Sequence, residues 1–155
     1  MKTALEILER KDKRMLSVKP DTLIYDALTF MVDKNIGAVL VKDGDKIVGI
    51  WTERDLMKNT VQDGFDPKAA KISEYMTKKL RSVPCTATVY TLHDIFLGKR
   101  LRHLLIERDG QYIGLLSAGD VMKAILQAKD QELHELNVSV SWEYYEDWKW
   151  KKKKS

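Results

Sequence analysis

Apolar residues recur at helical spacing in some stretches of the first half of the chain and in short continuous runs in others. Ala27, Leu28, Met31 and Val32 follow one face of a helix that is predicted to begin near Asp26. Short apolar runs bounded by turn residues predict strands. The elements predicted for this half are, in order, a helix within 2–14, a strand at 15–18, a helix over 26–34, strands at 38–41 and 47–51 joined by a hairpin, and a helix from 55 to about 59.

The second half of the chain repeats the first at a constant offset of 65 residues, with twelve identities and no gap. The identical pairs are Ile7/Ile72, Glu9/Glu74, Lys13/Lys78, Ser17/Ser82, Val18/Val83, Tyr25/Tyr90, Lys34/Lys99, Leu40/Leu105, Gly49/Gly114, Asp55/Asp120, Met57/Met122 and Lys58/Lys123. The predicted divisions are a first unit with the N-terminal helix at 1–59, a linker at 60–71, a second unit at 72–129 and a C-terminal extension at 130–155.

Each unit is too small to bury a large core alone. A three-stranded sheet with helices on one face leaves its other face uncovered. Two such units pack most economically sheet to sheet about a pseudo-twofold axis. The repeat therefore predicts an α/β (α+β) fold with two related clefts between the units.

Both units carry the same pattern where the last strand runs into the last helix, which we name the junction motif. It reads Gly49-Ile50-Trp51-Thr52-Glu53-Arg54-Asp55 in the first unit and Gly114-Leu115-Leu116-Ser117-Ala118-Gly119-Asp120 in the second. A hydroxyl residue precedes a carboxylate by three positions in both copies. One copy alone is typical of a helix cap. Two copies in register favour a paired binding site, although a capping hydroxyl can also contact a ligand.

The composition narrows the classes of site. The chain has 155 residues, of which 44% are hydrophobic, and it has no apolar run near the ~20 residues of a membrane span. Its first residues lack a signal-peptide pattern, so a cytoplasmic location is expected. The single cysteine, Cys85, excludes an intramolecular disulfide and a multi-cysteine zinc site. His93, His103 and His134 lack the spacing of metal ligands. No metal site and no catalytic constellation are predicted.

The net charge of +4 is concentrated in an aromatic, lysine-rich tail. Lys149 and 151–154 supply five positive charges, and the rest of the chain is close to neutral. One interpretation is an adaptor that binds nucleic acid or an anionic membrane through this tail. The other is a tail that packs its aromatic residues on the body or on a dimer mate. Glu143, Glu146 and Asp147 dilute the positive charge and favour the second interpretation.

The starts of the two central strands add a family pattern to the junction motifs. They read Asn35-Ile36-Gly37-Ala38-Val39-Leu40-Val41 and Arg100-Leu101-Arg102-His103-Leu104-Leu105-Ile106. With the repeat, they make residues 7–129 resemble a tandem pair of CBS domains, or Bateman module, of the small stand-alone kind. The resemblance implies a β-α-β-β-α unit in each half. It also implies an adenosine-containing ligand between the units, such as AMP, ADP, ATP, NAD(H) or S-adenosylmethionine.

The same resemblance implies a regulatory protein without catalytic activity of its own. Such a module senses the energy or redox state through its nucleotide. The ligand would favour one relative orientation of the units and so signal to a protein target, which the sequence does not identify. The resemblance further implies a homodimer in which four units form a flat disc.

Nucleotide chemistry assigns roles to the junction residues. Asp55 and Asp120 each offer a bidentate acceptor for the two ribose hydroxyls. Thr52 and Ser117 stand at helix N-termini, which favour phosphate. The adenine slot that the resemblance implies consists of Thr22, Ala27, Ile36, Gly37 and Ile50 in the first unit, and of Ala87, Leu92, Leu101 and Leu115 beside Arg102 in the second.

The two clefts are expected to be unequal. By resemblance, Arg102 and His103 face phosphates, whereas their counterparts Gly37 and Ala38 carry no charge. The alternative is that Arg102 and His103 form a solvated basic strand end. Ala87 stands where the first unit has a threonine, which puts a hydroxyl contact there in doubt. On these grounds the second cleft is the preferred nucleotide site.

Overall fold

The computed structural model describes residues 2–11 and 15–135, with side chains up to Glu132 in the last helix. The predicted tail lies outside the described residues. The elements are α1 (Ala4–Arg10), β1 (Ser17–Val18), α2 (Ile24–Lys34), β2 (Ala38–Asp43), β3 (Lys46–Thr52), α3 (Glu53–Thr60), α4 (Ile72–Tyr75), β4 (Ser82–Pro84), α5 (Val89–Lys99), β5 (His103–Arg108), β6 (Gln111–Ser117) and α6 (Ala118–Glu135).

Each half of the chain forms a three-stranded mixed sheet, in the order β1-β2-β3 and β4-β5-β6. The central strand runs parallel to the first strand and antiparallel to the third. Leu40 lies opposite Ile50 in one sheet, and Leu105 lies opposite Leu115 in the other. The two sheets therefore share one register at the offset of 65, as the repeat predicts.

The helix and hairpin ends follow local backbone preferences. α2 ends at Asn35 and α5 at Arg100, both in the left-handed conformation, with φ of 53° and 50°. Asp109 and Gly110 both have positive φ, as a tight two-residue hairpin requires. α2 begins two residues before the predicted start at Asp26. A tertiary contact explains the earlier start: the Ile24 N–H donates a hydrogen bond to the Ala70 carbonyl of the linker at 2.9 Å.

The N-terminal helix completes the core of the second unit. Its apolar residues Ala4, Ile7 and Leu8 are buried together with residues of α5, β5, β6 and α6. The Ala4 N–H donates to the Ala87 carbonyl at 2.8 Å. The sequence-based division placed this helix with the first unit. In the reciprocal arrangement, α4 packs on the first unit, where Ile72 is fully buried.

α1 and α4 are structurally equivalent at an offset of 68 residues, not 65. The Ala4 N–H bonds the Ala87 carbonyl and the Ile72 N–H bonds the Thr22 carbonyl, both at 2.8 Å. The acceptors are 65 residues apart, whereas the donors are 68 apart. The prediction of a gap-free repeat is therefore wrong before β1, and the identity of Ile7 with Ile72 does not mark equivalent positions. The three extra residues belong to α1 itself, which has seven residues where α4 has four.

The two sheets pack face to face through a small apolar cluster. Leu40, Ile47 and Leu105 are buried in it, with Met15, Ile50, Leu80, Tyr112 and Leu115 packed around them. Leu40 and Leu105 are repeat counterparts, so the cluster straddles the pseudo-twofold axis. The predicted sheet-to-sheet architecture is confirmed. Within the described ranges, no helix is long and apolar enough to cross a membrane.

Candidate functional site

The first junction motif forms a reciprocal capping box at the start of α3. The Asp55 N–H donates to Thr52 Oγ1 at 3.3 Å, and the Thr52 N–H donates to Asp55 Oδ2 at 2.9 Å. The Thr52 hydroxyl lies 3.1 Å from the same Oδ2. Among the described residues, the hydrogen bonds of this carboxylate therefore all fall on Oδ2. Both side chains are half-buried, and the described residues place no hydrogen bond on Oδ1.

The second junction motif forms the same cap and carries an additional cation. The Ser117 N–H donates to Asp120 Oδ2 at 2.8 Å, and the Asp120 N–H donates to Ser117 Oγ at 3.1 Å. Lys11 Nζ donates to the same Oδ2 at 2.8 Å and to the Leu115 carbonyl at 3.2 Å. Lys11 thus spans the predicted ribose carboxylate and the predicted adenine slot of the second unit.

The sequence analysis did not identify Lys11 as a site residue. Lys11 directly follows α1, 109 residues before Asp120, and α1 was assigned to the first unit. The three extra residues lengthen α1 by about one turn relative to α4, and this turn brings Lys11 to the second junction. The basic pair Arg10-Lys11 at the end of a short helix was the available signal, but it does not indicate which unit the helix contacts.

Lys11 sets the electrostatics of Asp120. Burial alone would raise the pKa of Asp120, since it disfavours the charged form. The hydrogen bond from Lys11, the N–H of Ser117 and the positive charge of Lys11 outweigh burial, so the net pKa is lowered. Asp120 is therefore held ionised, and its negative charge is compensated before any ligand arrives.

His103 is a neutral residue at pH 7, contrary to the expectation of a basic side chain. Burial, followed by the positive charge of Lys11, lowers its pKa from 6.5 to about 4. Its Nδ1 is shielded from solvent and has no hydrogen-bond partner within the part of the chain that the structure describes. His103 lies opposite Ser117 in the sheet, so it does reach the second junction. There it can offer a hydrogen bond but no charge to a phosphate.

Arg102 faces a carboxylate of the first unit. The Glu53 N–H bonds the Gly37 carbonyl at 3.0 Å, and the Ala118 N–H bonds the equivalent Arg102 carbonyl at 2.9 Å. Glu53 Oε1 lies 3.7 Å from Arg102 Nη1. The same oxygen would be 3.1 Å from a Cβ at Gly37. Glu53 therefore contacts equivalent positions of both units. The side chains of Arg102 and Glu53 are both more than half exposed, so their ion pair adds little stability.

The residues predicted for the adenine slot fall into two groups. Ala27 and Leu92 have no exposed surface and belong to the cores of their units, so they cannot contact a ligand in this arrangement. They were selected because the family resemblance maps the slot onto them, but in the structure both side chains pack into the cores. The remaining predicted residues are all half-buried: Thr22, Ile36, Gly37, Ile50, Ala87, Leu101 and Leu115.

Comparison with known proteins gives consistent matches. The family model described as CBS domain matches residues 3–61 and 72–127. The chain is 32% identical over 129 residues to the CBS domain-containing protein CBSX3, mitochondrial, of Arabidopsis thaliana. This match covers 80% of the chain and 63% of CBSX3, so the chain spans less than two thirds of that relative.

Two solved structures extend the comparison. A CBS-domain containing protein from Agrobacterium tumefaciens superimposes with a TM-score of 0.75 at 35% identity, over 80% of this chain and 99% of that one. CBSX2 in complex with AMP superimposes with a TM-score of 0.66 at 25% identity, over 82% of this chain and 98% of that one. The chain therefore belongs to the CBS-domain family and carries two tandem copies of the domain.

Proposed function

We propose that this chain is a regulatory module that binds an adenosine-containing ligand between its two CBS units and signals to a protein target. It performs no catalysis of its own in this role. The observation that carries the proposal is the pair of equivalent carboxylates, Asp55 and Asp120. Each is held in a capping box at a helix N-terminus. The AMP complex of CBSX2 supports the choice of ligand class.

The geometry of each junction suits a nucleoside monophosphate. A half-buried carboxylate can accept both ribose hydroxyls, and charge-assisted hydrogen bonds of this kind contribute about 1.5–3 kcal/mol. The neighbouring hydroxyl and the N–H groups of the helix N-terminus suit a phosphate. Thr52 with Asp55, and Ser117 with Asp120, place both kinds of group within one turn of helix.

The two junctions differ in the charge that lies beside the carboxylate. The described residues place no cation on the carboxylate of Asp55, whereas Asp120 is paired with Lys11 at 2.8 Å. A ribose at Asp120 would share the carboxylate with Lys11, whose partly exposed ion pair contributes at most about 1 kcal/mol. This difference favours the first cleft for an uncharged nucleoside, against the preference for the second cleft that Arg102 and His103 suggested.

The module is proposed to act as a homodimer. Large apolar residues are exposed at equivalent positions of the two units: Tyr25 and Tyr90 at 50%, Val32 at 78% with Leu97 at 62%, and Met57 at 65% with Met122 at 62%. Single exposed apolar residues are ordinary. Their recurrence on α2 with α5, and on α3 with α6, gives both units the same apolar face. A second copy of the chain offers a matching face.

The dimer is tested by sedimentation equilibrium of the Met57→Lys/Met122→Lys variant. A monomer is expected, while Lys19→Glu, at an exposed position outside this face, leaves a dimer. A wild-type monomer at all concentrations would remove the homodimer from the proposal.

Ligand binding is tested by isothermal titration of the full chain with AMP, ADP, ATP, NAD, NADH and S-adenosylmethionine. At least one is expected to bind with a dissociation constant below 1 mM, which corresponds to about −4 kcal/mol. Guanosine monophosphate serves as the matched control. If all six fail to bind at millimolar concentration, the proposed function is rejected.

A further inference from the structure

A cavity of about 210 Å³ lies between α1 and α6, on the outer side of the second junction motif. Four cationic residues line it: Lys2, Arg10, Lys11 and Lys123. Asp120 is the one carboxylate of its lining. The lining therefore carries a net charge of +3, and in a concave space the positive potentials of these groups add.

The cationic side chains that line the cavity repel one another. Partial burial, and then the nearby Arg10 guanidinium, lower the pKa of Lys2, and the Glu6 carboxylate opposes this shift without cancelling it. Lys11 is bonded to Asp120, so the single carboxylate of the lining already has its cation. An anion in the cavity would relieve the repulsion that remains between Lys2 and Arg10.

This basic lining is built partly on α1, the helix that packs on the second unit. Arg10 and Lys11 lie at the end of the extra turn of α1, and α4, which ends at Tyr75, has no such turn. The three extra residues thus add charge next to one of two otherwise similar junctions. Among the described residues, the difference places more positive charge beside the second junction than beside the first.

The size of the cavity selects the ligand class. Pockets for whole small molecules usually measure about 300–1,000 Å³, so a cavity of about 210 Å³ is small for a complete nucleotide. It suits a compact, highly charged group. We propose that the cavity between α1 and α6 binds a di- or triphosphate group through Lys2 and Arg10. That group belongs either to a nucleotide that extends past Asp120 or to free inorganic polyphosphate.

The test is isothermal titration of the full chain with tripolyphosphate at low ionic strength. The variant is Lys2→Gln/Arg10→Gln, and the matched control is Lys19→Gln/Lys46→Gln, which removes the same charge at exposed positions elsewhere. Circular dichroism verifies that all three proteins are folded. The cavity variant is expected to weaken tripolyphosphate binding at least tenfold, and the control less than twofold. Equal weakening in both variants, or no binding by the wild type, overturns the inference.

Titrations with ATP and AMP distinguish the two sources of the phosphate group. If the cavity variant loses at least tenfold in ATP affinity and keeps its AMP affinity, the group is the tail of a nucleotide. If it loses only tripolyphosphate affinity, the group is free polyphosphate. Wild-type binding of tripolyphosphate without any nucleotide binding rejects the proposed function and leaves this inference standing. If AMP binds but the cavity variant keeps the wild-type affinity for tripolyphosphate and ATP, this inference is rejected and the proposed function stands.

Discussion

The half-buried imidazole of His103 should make the stability of the chain depend on pH between about 6.5 and 4. Burial is the largest cause of its low pKa of about 4, Lys11 and Arg102 lower it further, and Asp120 acts in the opposite direction. In the unfolded chain the pKa returns to about 6.5. Between these values the unfolded state binds the proton more tightly. Stability is therefore complete above pH 6.5 and decreases as the pH falls towards 4.

The size of this effect follows from the two pKa values of His103. The interval from 6.5 to about 4 corresponds to about 3 kcal/mol, at about 1.36 kcal/mol per pH unit. At pH 4.5 most of this loss, about 2 kcal/mol, has already occurred. That is a large fraction of the 5–15 kcal/mol that typically stabilises a folded domain.

Urea unfolding of the wild type and of His103→Gln, from pH 7.5 to pH 4.5, measures the effect. The glutamine variant loses packing at every pH, so the informative quantity is how its stability difference from the wild type changes with pH. We expect the wild type to lose about 2 kcal/mol more than the variant over this range. His93→Gln, at a side chain that is 47% exposed, is the control. Parallel pH profiles for all three proteins would refute the assignment of a half-buried neutral imidazole.

Two further predictions concern single contacts. Asn59 is buried, and its Oδ1 accepts a hydrogen bond from the Trp51 indole N–H at 2.9 Å. Asn59→Ala should therefore lower the free energy of unfolding in urea by about 1–3 kcal/mol. A loss below about 0.5 kcal/mol would show that the bond contributes nothing. Lys11→Met should cost about 0.5–1 kcal/mol at pH 7 in the wild-type background. In the Asp120→Asn background the same substitution should cost almost nothing. Additive costs in that double-mutant cycle would contradict the ion pair.

The repeat, the order of elements and the sheet-to-sheet packing were predictable because each rests on local patterning. Apolar spacing indicated the helices and strands, and Asn35 marked the end of α2. The start of α2 was less predictable, since Ile24 is fixed by a hydrogen bond to Ala70 of the linker. Such a contact leaves no signal in the periodicity of the helix itself.

The sequence did not predict that α1 packs on the second unit and α4 on the first, an arrangement that we call the exchange of α1 and α4. An apolar stripe on a short helix shows that the helix packs, but not on which unit. Chance identities such as Ile7 with Ile72 also concealed the three-residue gap. The exchange explains the glycines of the two junction motifs. A Cβ at Gly49 would come within 2.8 Å of Met76 Cγ, and one at Gly114 within 2.9 Å of Leu8 Cγ. These glycines make room for the exchanged segments.

Lys11 shows how far the site could be predicted. The paired hydroxyls and carboxylates were identified because they repeat within the chain. Lys11 does not repeat, and its contact with Asp120 depends on the exchanged position of α1. The charge of His103 was misjudged for a related reason, since burial of its ring depends on tertiary packing.

The central claim is that the two junction carboxylates bind the ribose of an adenosine-containing ligand. The most direct test is calorimetric titration of AMP into the wild type, Asp55→Asn, Asp120→Asn and the double variant. Asp33→Asn, at a side chain that is 75% exposed, is the control. Asparagine keeps one acceptor oxygen for the cap but loses the charge, so each single variant should weaken its own cleft by about 10–100-fold. The double variant should bind AMP about 10–100-fold more weakly at both clefts. If it binds AMP as tightly as the wild type, the carboxylates are helix caps only and the claim is wrong.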